Sequence, residues 1–107
     1  MDRIIGYKLE GHTPVPVTSM EEWAKTFDID NRRVALTEMP NGDRISTVFL
    51  AMDHGWRSPV PILFETMIFG GEHDQYCERY ATWEEAEEGH KRAVELYERG
   101  FKTDGSN

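Results

Sequence analysis

A second cysteine is missing: Cys77 stands alone in 107 residues, which excludes an internal disulfide framework. No apolar run approaches the roughly 18 residues that a membrane helix needs. The opening Met1-Asp2-Arg3-Ile4-Ile5-Gly6 lacks the basic flank and long apolar stretch of a secretory signal. These absences lead to the expectation of a protein in the cytoplasm, away from the membrane. Positive charge is scarce too, with 12 Lys and Arg against 20 Asp and Glu and a formal net charge of −8. Nucleic-acid binding draws on clustered cations that displace counterions from phosphates, so no direct contact with DNA or RNA is expected. An acidic chain can instead imitate nucleic acid in a basic groove. Here, however, Glu87 and Glu88 stand four residues before Lys91 and Arg92, the favourable order for helical ion pairs, and the charge reads as a solvated helix face. Repeats and low-complexity blocks are absent, and Gly70-Gly71 lacks the following Lys-Ser/Thr of a phosphate loop. No cofactor is expected.

What is present is ample apolar surface: 38% hydrophobic and 11% aromatic residues beside 30% charged, enough to offset chain entropy in one folded unit. Residues 1–102 are expected to form a single α+β domain, with 103–107 as a flexible C-terminal tail. Arg3 to Glu10 is rich in strand formers, and Gly11-His12-Thr13-Pro14-Val15-Pro16 reads as an extended loop after it. Thr18 with Glu21, or Ser19 with Glu22, makes a capping box ahead of Met20, Trp23 and Phe27 at helical spacing, which predicts a short helix over 19–28. Asp28-Ile29-Asp30-Asn31 marks its end.

Arg33–Met39 and Arg44–Met52 flank Pro40-Asn41-Gly42-Asp43 and predict a hairpin, because Asn-Gly tolerates positive φ at both central turn positions. A fourth strand follows the Gly/Pro-rich connection Asp53–Pro61 and runs from Ile62 to Phe69, with a short fifth strand from Gln75 to Tyr80. Thr82-Trp83-Glu84-Glu85 forms a capping box for a helix reaching Arg99 and stopped by Gly100. Trp83, Ala86, His90, Ala93, Val94 and Tyr97 fall on one stripe of it. The expected architecture is an antiparallel sheet of four or five strands in β-α-β-β-β-β-α order, with both helices on one face.

With the elements placed, Ile45-Ser46-Thr47-Val48-Phe49-Leu50, Asp53-His54, the run Pro61–Gly71 containing Leu63-Phe64-Glu65-Thr66-Met67, Arg79-Tyr80 and Thr82–His90 together resemble a family of short uncharacterised proteins. Bacteriophages, prophages and some bacteria encode them. The resemblance spans residues 33–95 and the order of elements. It implies an accessory protein acting inside an infected or lysogenic cell, with a host or phage protein as partner. That family has no established activity, so no catalytic residue carries over.

Chemistry is sought where polar groups interrupt apolar patterns. Glu65 breaks an apolar strand, with Leu63, Met67 and Phe69 as its same-face neighbours by alternation. A buried unpaired carboxylate would be a general acid or base; on an exposed face it would pair across strands with a residue such as Arg44. His90 is the one imidazole on the apolar stripe of the last helix, beside Gly89, which would let the helix approach a strand closely. It is either a hydrogen-bonded core residue or, if it meets Glu65, half of an acid/base dyad. Asp53-His54 and His73-Asp74 flank the fourth strand and offer donors that zinc or manganese accepts, although turn polarity explains them equally and no metal spacing is present. Cys77 reads as a buried thiol without a catalytic partner. His54, Trp56 and Arg57, in the Gly/Pro-rich connection, are candidate ligand or partner contacts, with Trp56 as an aromatic anchor.

Three function classes follow. The first is a non-enzymatic protein that binds and modulates a host or phage protein. The second is a counter-defence protein that sequesters a small nucleotide signal, which requires cations and an aromatic plate in a concave site. The third is a small metal-dependent or acid/base hydrolase. Open sheet edges also make a homodimer possible.

Overall fold

The computed structural model describes residues 3–28, 32–55, 58–74 and 76–99. The chain is α+β, with two antiparallel sheets and helices in the order β-β-α-β-β-β-β-α. Strands β1 (Gly6–Glu10) and β2 (Thr13–Val17) form a two-stranded ribbon. The segment expected as a loop is therefore a strand. Pro14 and Pro16 sit opposite Leu9 and Tyr7, and their two-residue spacing turns both missing N–H positions to the free edge, where no ladder bond is lost.

Helix α1 (Met20–Ala24) is capped by Ser19, whose hydroxyl accepts from the Glu22 N–H, and passes into a 3-10 turn at Lys25–Phe27. Of the expected apolar trio, only Trp23 is placed as a packing residue, donating its indole N–H to the Ala51 carbonyl at 3.0 Å. Met20 is 64% exposed, and the Phe27 side chain lies outside the described residues. The neighbours of α1 are β1 and β2, so it packs on the ribbon rather than along the main sheet.

That main sheet is a meander of β3 (Arg33–Glu38), β4 (Arg44–Phe49), β5 (Phe64–Phe69) and β6 (Cys77–Tyr80), in spatial order β3-β4-β5-β6. The β3–β4 hairpin forms as expected but by a different turn. Gly42 N–H bonds the Met39 carbonyl at 2.9 Å, and Gly42 alone in the turn has positive φ, +98°. Pro40 presets the φ of a type I turn, and the following glycine completes a bulge. The residues expected beyond the turn at Asn31, Gln75 and Gly100, and the tail 103–107, lie outside the described residues.

Helix α2 (Trp83–Arg99) covers one face of the meander. Its capping box is formed: Glu85 N–H donates to Thr82 Oγ1 at 3.1 Å, and the Glu85 carboxylate accepts from Ala81 and Thr82 N–H. Under it lie two apolar clusters. Phe49, Ala51, Leu63, Phe64, Tyr80 and Ala86 form one, extended by Tyr7 and Leu9 of the ribbon, while Met39, Ile45, Ile68 and Ala93 form the other. Among the described residues no helix is long and apolar enough to cross a membrane.

Candidate functional site

Strand alternation divides the meander into two unlike faces. On the helix side, Ile45 pairs with Ile68, Thr47 with Thr66, and Phe49 with Phe64. The Thr47–Thr66 rung, fully buried, thus separates the two apolar clusters. His90 sits above it, 7% exposed, with Nδ1 2.7 Å from Thr47 Oγ1 and Nε2 2.8 Å from Thr37 Oγ1. Thr47 meets Thr66 at 2.5 Å, Thr66 meets the Tyr80 hydroxyl at 3.1 Å, and Tyr80 reaches Glu78 at 2.9 Å.

One proton order satisfies this chain. A phenol has one proton and a carboxylate only accepts, so Tyr80 donates to Glu78, Thr66 to Tyr80, and Thr47 to Thr66. His90 Nδ1–H then donates to Thr47, and Thr37 donates to Nε2. Burial holds the His90 pKa below its ordinary 6.5, in keeping with a neutral ring that must accept at one nitrogen. Glycine at position 89 permits the approach, because a Cβ there would overlap the Tyr80 ring. His90 is a structural clamp in this arrangement, sealed under α2.

The opposite face carries Leu36, Ser46, Val48, Met67 and Phe69 with Arg33, Glu38, Arg44, Glu65, Cys77 and Arg79. No described element covers it. Phe69 is 41% exposed, and a depression of about 310 Å³ is lined by Arg33, Leu36, Arg44, Val48, Met67 and Phe69 among others. Glu65 pairs across strands with Arg79 at 2.9 Å rather than with Arg44, and also accepts from the Cys77 thiol at 3.1 Å. Arg44 instead lies over the Phe69 ring at 5.8 Å. Neither Arg33 nor Arg44 has a carboxylate within ion-pair distance among the described residues.

The candidate groups therefore do not converge. Glu65 and His90 lie on opposite faces of the sheet, and no dyad forms between them. Met67 and Phe69 do share the face of Glu65, but Leu63 precedes the strand and turns into the core. Cys77 is exposed rather than buried; partial desolvation and then the Glu65 carboxylate raise its pKa, the reverse of an activated nucleophile.

Asp53 braces its own loop: its Oδ1 accepts from Gly55 and Ile62 N–H at 2.8 and 2.9 Å, and these two bonds lower its pKa. His54 Nδ1 lies 3.0 Å from the Met52 carbonyl. Asp74 caps the backbone of Gly70 at 2.8 Å, and His73 stands edge-on to Tyr97. The first couple follows β4 and the second follows β5, so antiparallel pairing puts them at opposite ends of the sheet. Among the described residues no three His, Cys, Asp or Glu side chains cluster as metal ligands would. Trp56 and Arg57 lie outside the described residues.

Sequence reasoning missed the polar belt, whose signal was a threonine at the buried parity of each central strand, Thr47 and Thr66. It named Arg44 only as a partner for Glu65 and missed Arg33 and Arg79, which the register brings to the same face. No family model, no curated protein and no solved structure matches the chain, so the reading of these faces rests on its own residues.

Proposed function

We propose that this is a non-enzymatic accessory protein that binds and modulates a partner protein through the open face of its four-stranded sheet, acting in the cytoplasm of the host cell as the bacteriophage and prophage resemblance implies. The observation that carries this reading is the uncovered apolar strip of Leu36, Val48, Met67 and Phe69, flanked by the uncommitted cations Arg33 and Arg44. Exposed contiguous apolar surface rimmed by charge is the usual character of a protein-binding patch.

The chemistry of the face selects its occupant. An apolar segment bearing carboxylates fits, because it buries the strip and pairs the arginines. A second copy is a poorer occupant: the outer surface of α2 supplies Glu84, Glu87, Glu88, Glu95 and Glu98, all exposed, but no apolar stripe beside them. Catalysis is disfavoured by the separation of Glu65 from His90 and by their existing partners.

The test compares proteins captured from bacterial host lysate by the wild-type chain, by Arg44→Glu and Met67→Glu, and by Glu87→Lys on the outer surface of α2. The expected result is a species retained by wild type and by Glu87→Lys and lost with both sheet-face variants. Capture unchanged by the sheet-face variants refutes the assignment. Sedimentation in the same buffers identifies the case in which a second copy takes the face.

A further inference from the structure

A cleft of about 570 Å³ opens between the ribbon with its short helix and the Phe49 end of the sheet, sharing only Arg33 with the depression just described. That volume is in the range of small-molecule sites. Among the described residues, three cations line it, Lys8, Lys25 and Arg33, against the single carboxylate Glu22, in a chain whose net charge is −8. Lys8 is committed, 2.5 Å from Glu22 and 3.7 Å from Glu10. Lys25 and Arg33 have no carboxylate within ion-pair distance among the described residues. A local surplus of uncommitted cations on an acidic protein focuses anions.

The walls add a second chemistry. Trp83 lines the same cleft, and its indole is stacked by His12 at 3.8 Å with the two rings nearly parallel. The Trp83 Nε1–H is buried and has no hydrogen-bond acceptor among the described residues. A buried donor left unpaired is uncommon and calls for an acceptor from water or ligand.

We propose that this cleft binds a small organic anion that carries a flat ring, with a nucleoside monophosphate as the class whose size and charge fit. Lys25 and Arg33 take the phosphate, and the Trp83 ring takes the base, by stacking in exchange with the exposed His12 ring. The cations and aromatic surface required of a nucleotide-binding protein are thus supplied by Lys25, Arg33 and Trp83, not by His54. Arg33 lines both this cleft and the sheet face, whereas Lys25 lines the cleft alone and Arg44 the sheet face alone, so those two positions separate this site from the partner-binding reading.

The probe is AMP, titrated by calorimetry against the full chain, with adenosine and inorganic phosphate in separate arms. Lys25→Glu is the cleft variant, and Arg44→Gln the control; both positions are exposed, and melting curves verify that each variant is folded. Binding of AMP at submillimolar concentration is expected, with adenosine and phosphate each weaker by roughly tenfold or more. Loss of one charge-assisted contact in Lys25→Glu should weaken AMP by roughly tenfold or more, while Arg44→Gln leaves it unchanged. No binding of AMP at millimolar concentration overturns the proposal. So does equal affinity in the Lys25→Glu protein, or inorganic phosphate binding as tightly as AMP.

Discussion

Replacing Gly89 by alanine sets two effects of opposite sign against each other. In an exposed helix interior the change stabilises by about 1 kcal/mol, because glycine carries more backbone entropy into the unfolded state. Here the new Cβ would overlap Cζ, Oη and Cε1 of Tyr80. That ring is 6% exposed, and its hydroxyl is held by Thr66 and Glu78, so it cannot swing aside without giving up bonds inside the belt. The alternative is for α2 to lift. Overpacking of this kind costs about 1–3 kcal/mol, and lifting the next residue, His90, from its two threonines weakens hydrogen bonds worth about 1 kcal/mol each. Subtracting the propensity gain leaves a net loss of roughly 1–3 kcal/mol. Urea denaturation at neutral pH measures it as a lower midpoint at constant m. A Tyr80→Leu background, with no ring to overlap, should abolish the penalty and expose the propensity gain. If Gly89→Ala stabilises the native background, or loses the same amount in both, the close helix–sheet approach described here is wrong.

Two further outcomes are expected of the same assay. The folded imidazole of His90 has a pKa held below the unfolded 6.5 by burial, so the unfolded chain binds the additional proton as pH falls. Stability from this group is therefore complete above about pH 6.5 and is lost as pH drops from there toward the folded value. A His90→Gln protein should lack that part of the slope, and a wild-type stability that rises on acidification from pH 7 to 6 would contradict it. At α1, Ser19→Ala should cost about 1 kcal/mol and Thr18→Ala close to none, because only the Ser19 hydroxyl accepts from Glu22 N–H; equal losses would mean that both capping boxes are used.

The elements were legible where local chemistry decides them. The Thr82–Glu85 box, the apolar stripe of α2 and the two halves of the β3–β4 hairpin all stand where periodicity and capping put them. Pro14 and Pro16 misled because their effect depends on which backbone edge they face, which alternation in an isolated ribbon decides. Met20 misled because helical spacing gives a stripe without saying whether anything covers it. For the site, Gly89 and His90 were readable as a point of contact with the sheet. Their partners Thr37, Thr47 and Tyr80 come from three strands, and no spacing along one segment foretells them. The cleft is harder still, since Lys8, Lys25, Arg33 and Trp83 belong to four elements and meet only through docking of the ribbon.

The pattern of the central strands bears on what the open face is for. A strand covered on one side alternates cleanly between apolar and polar residues, whereas one covered on both sides reads as a nearly continuous apolar run. Strand β5 is Phe64-Glu65-Thr66-Met67-Ile68-Phe69, apolar at both parities with one polar insertion on each face. Its neighbour β4 alternates instead, with Arg44, Ser46 and Val48 outward against Ile45, Thr47 and Phe49 inward. Both insertions are already satisfied, Thr66 by the belt and Glu65 by Arg79 and Cys77, so what remains of β5 on the outer face is the apolar pair Met67 and Phe69. That composition of β5, suited to two covering layers in a sheet that its described residues cover once, is in keeping with a second layer supplied from outside.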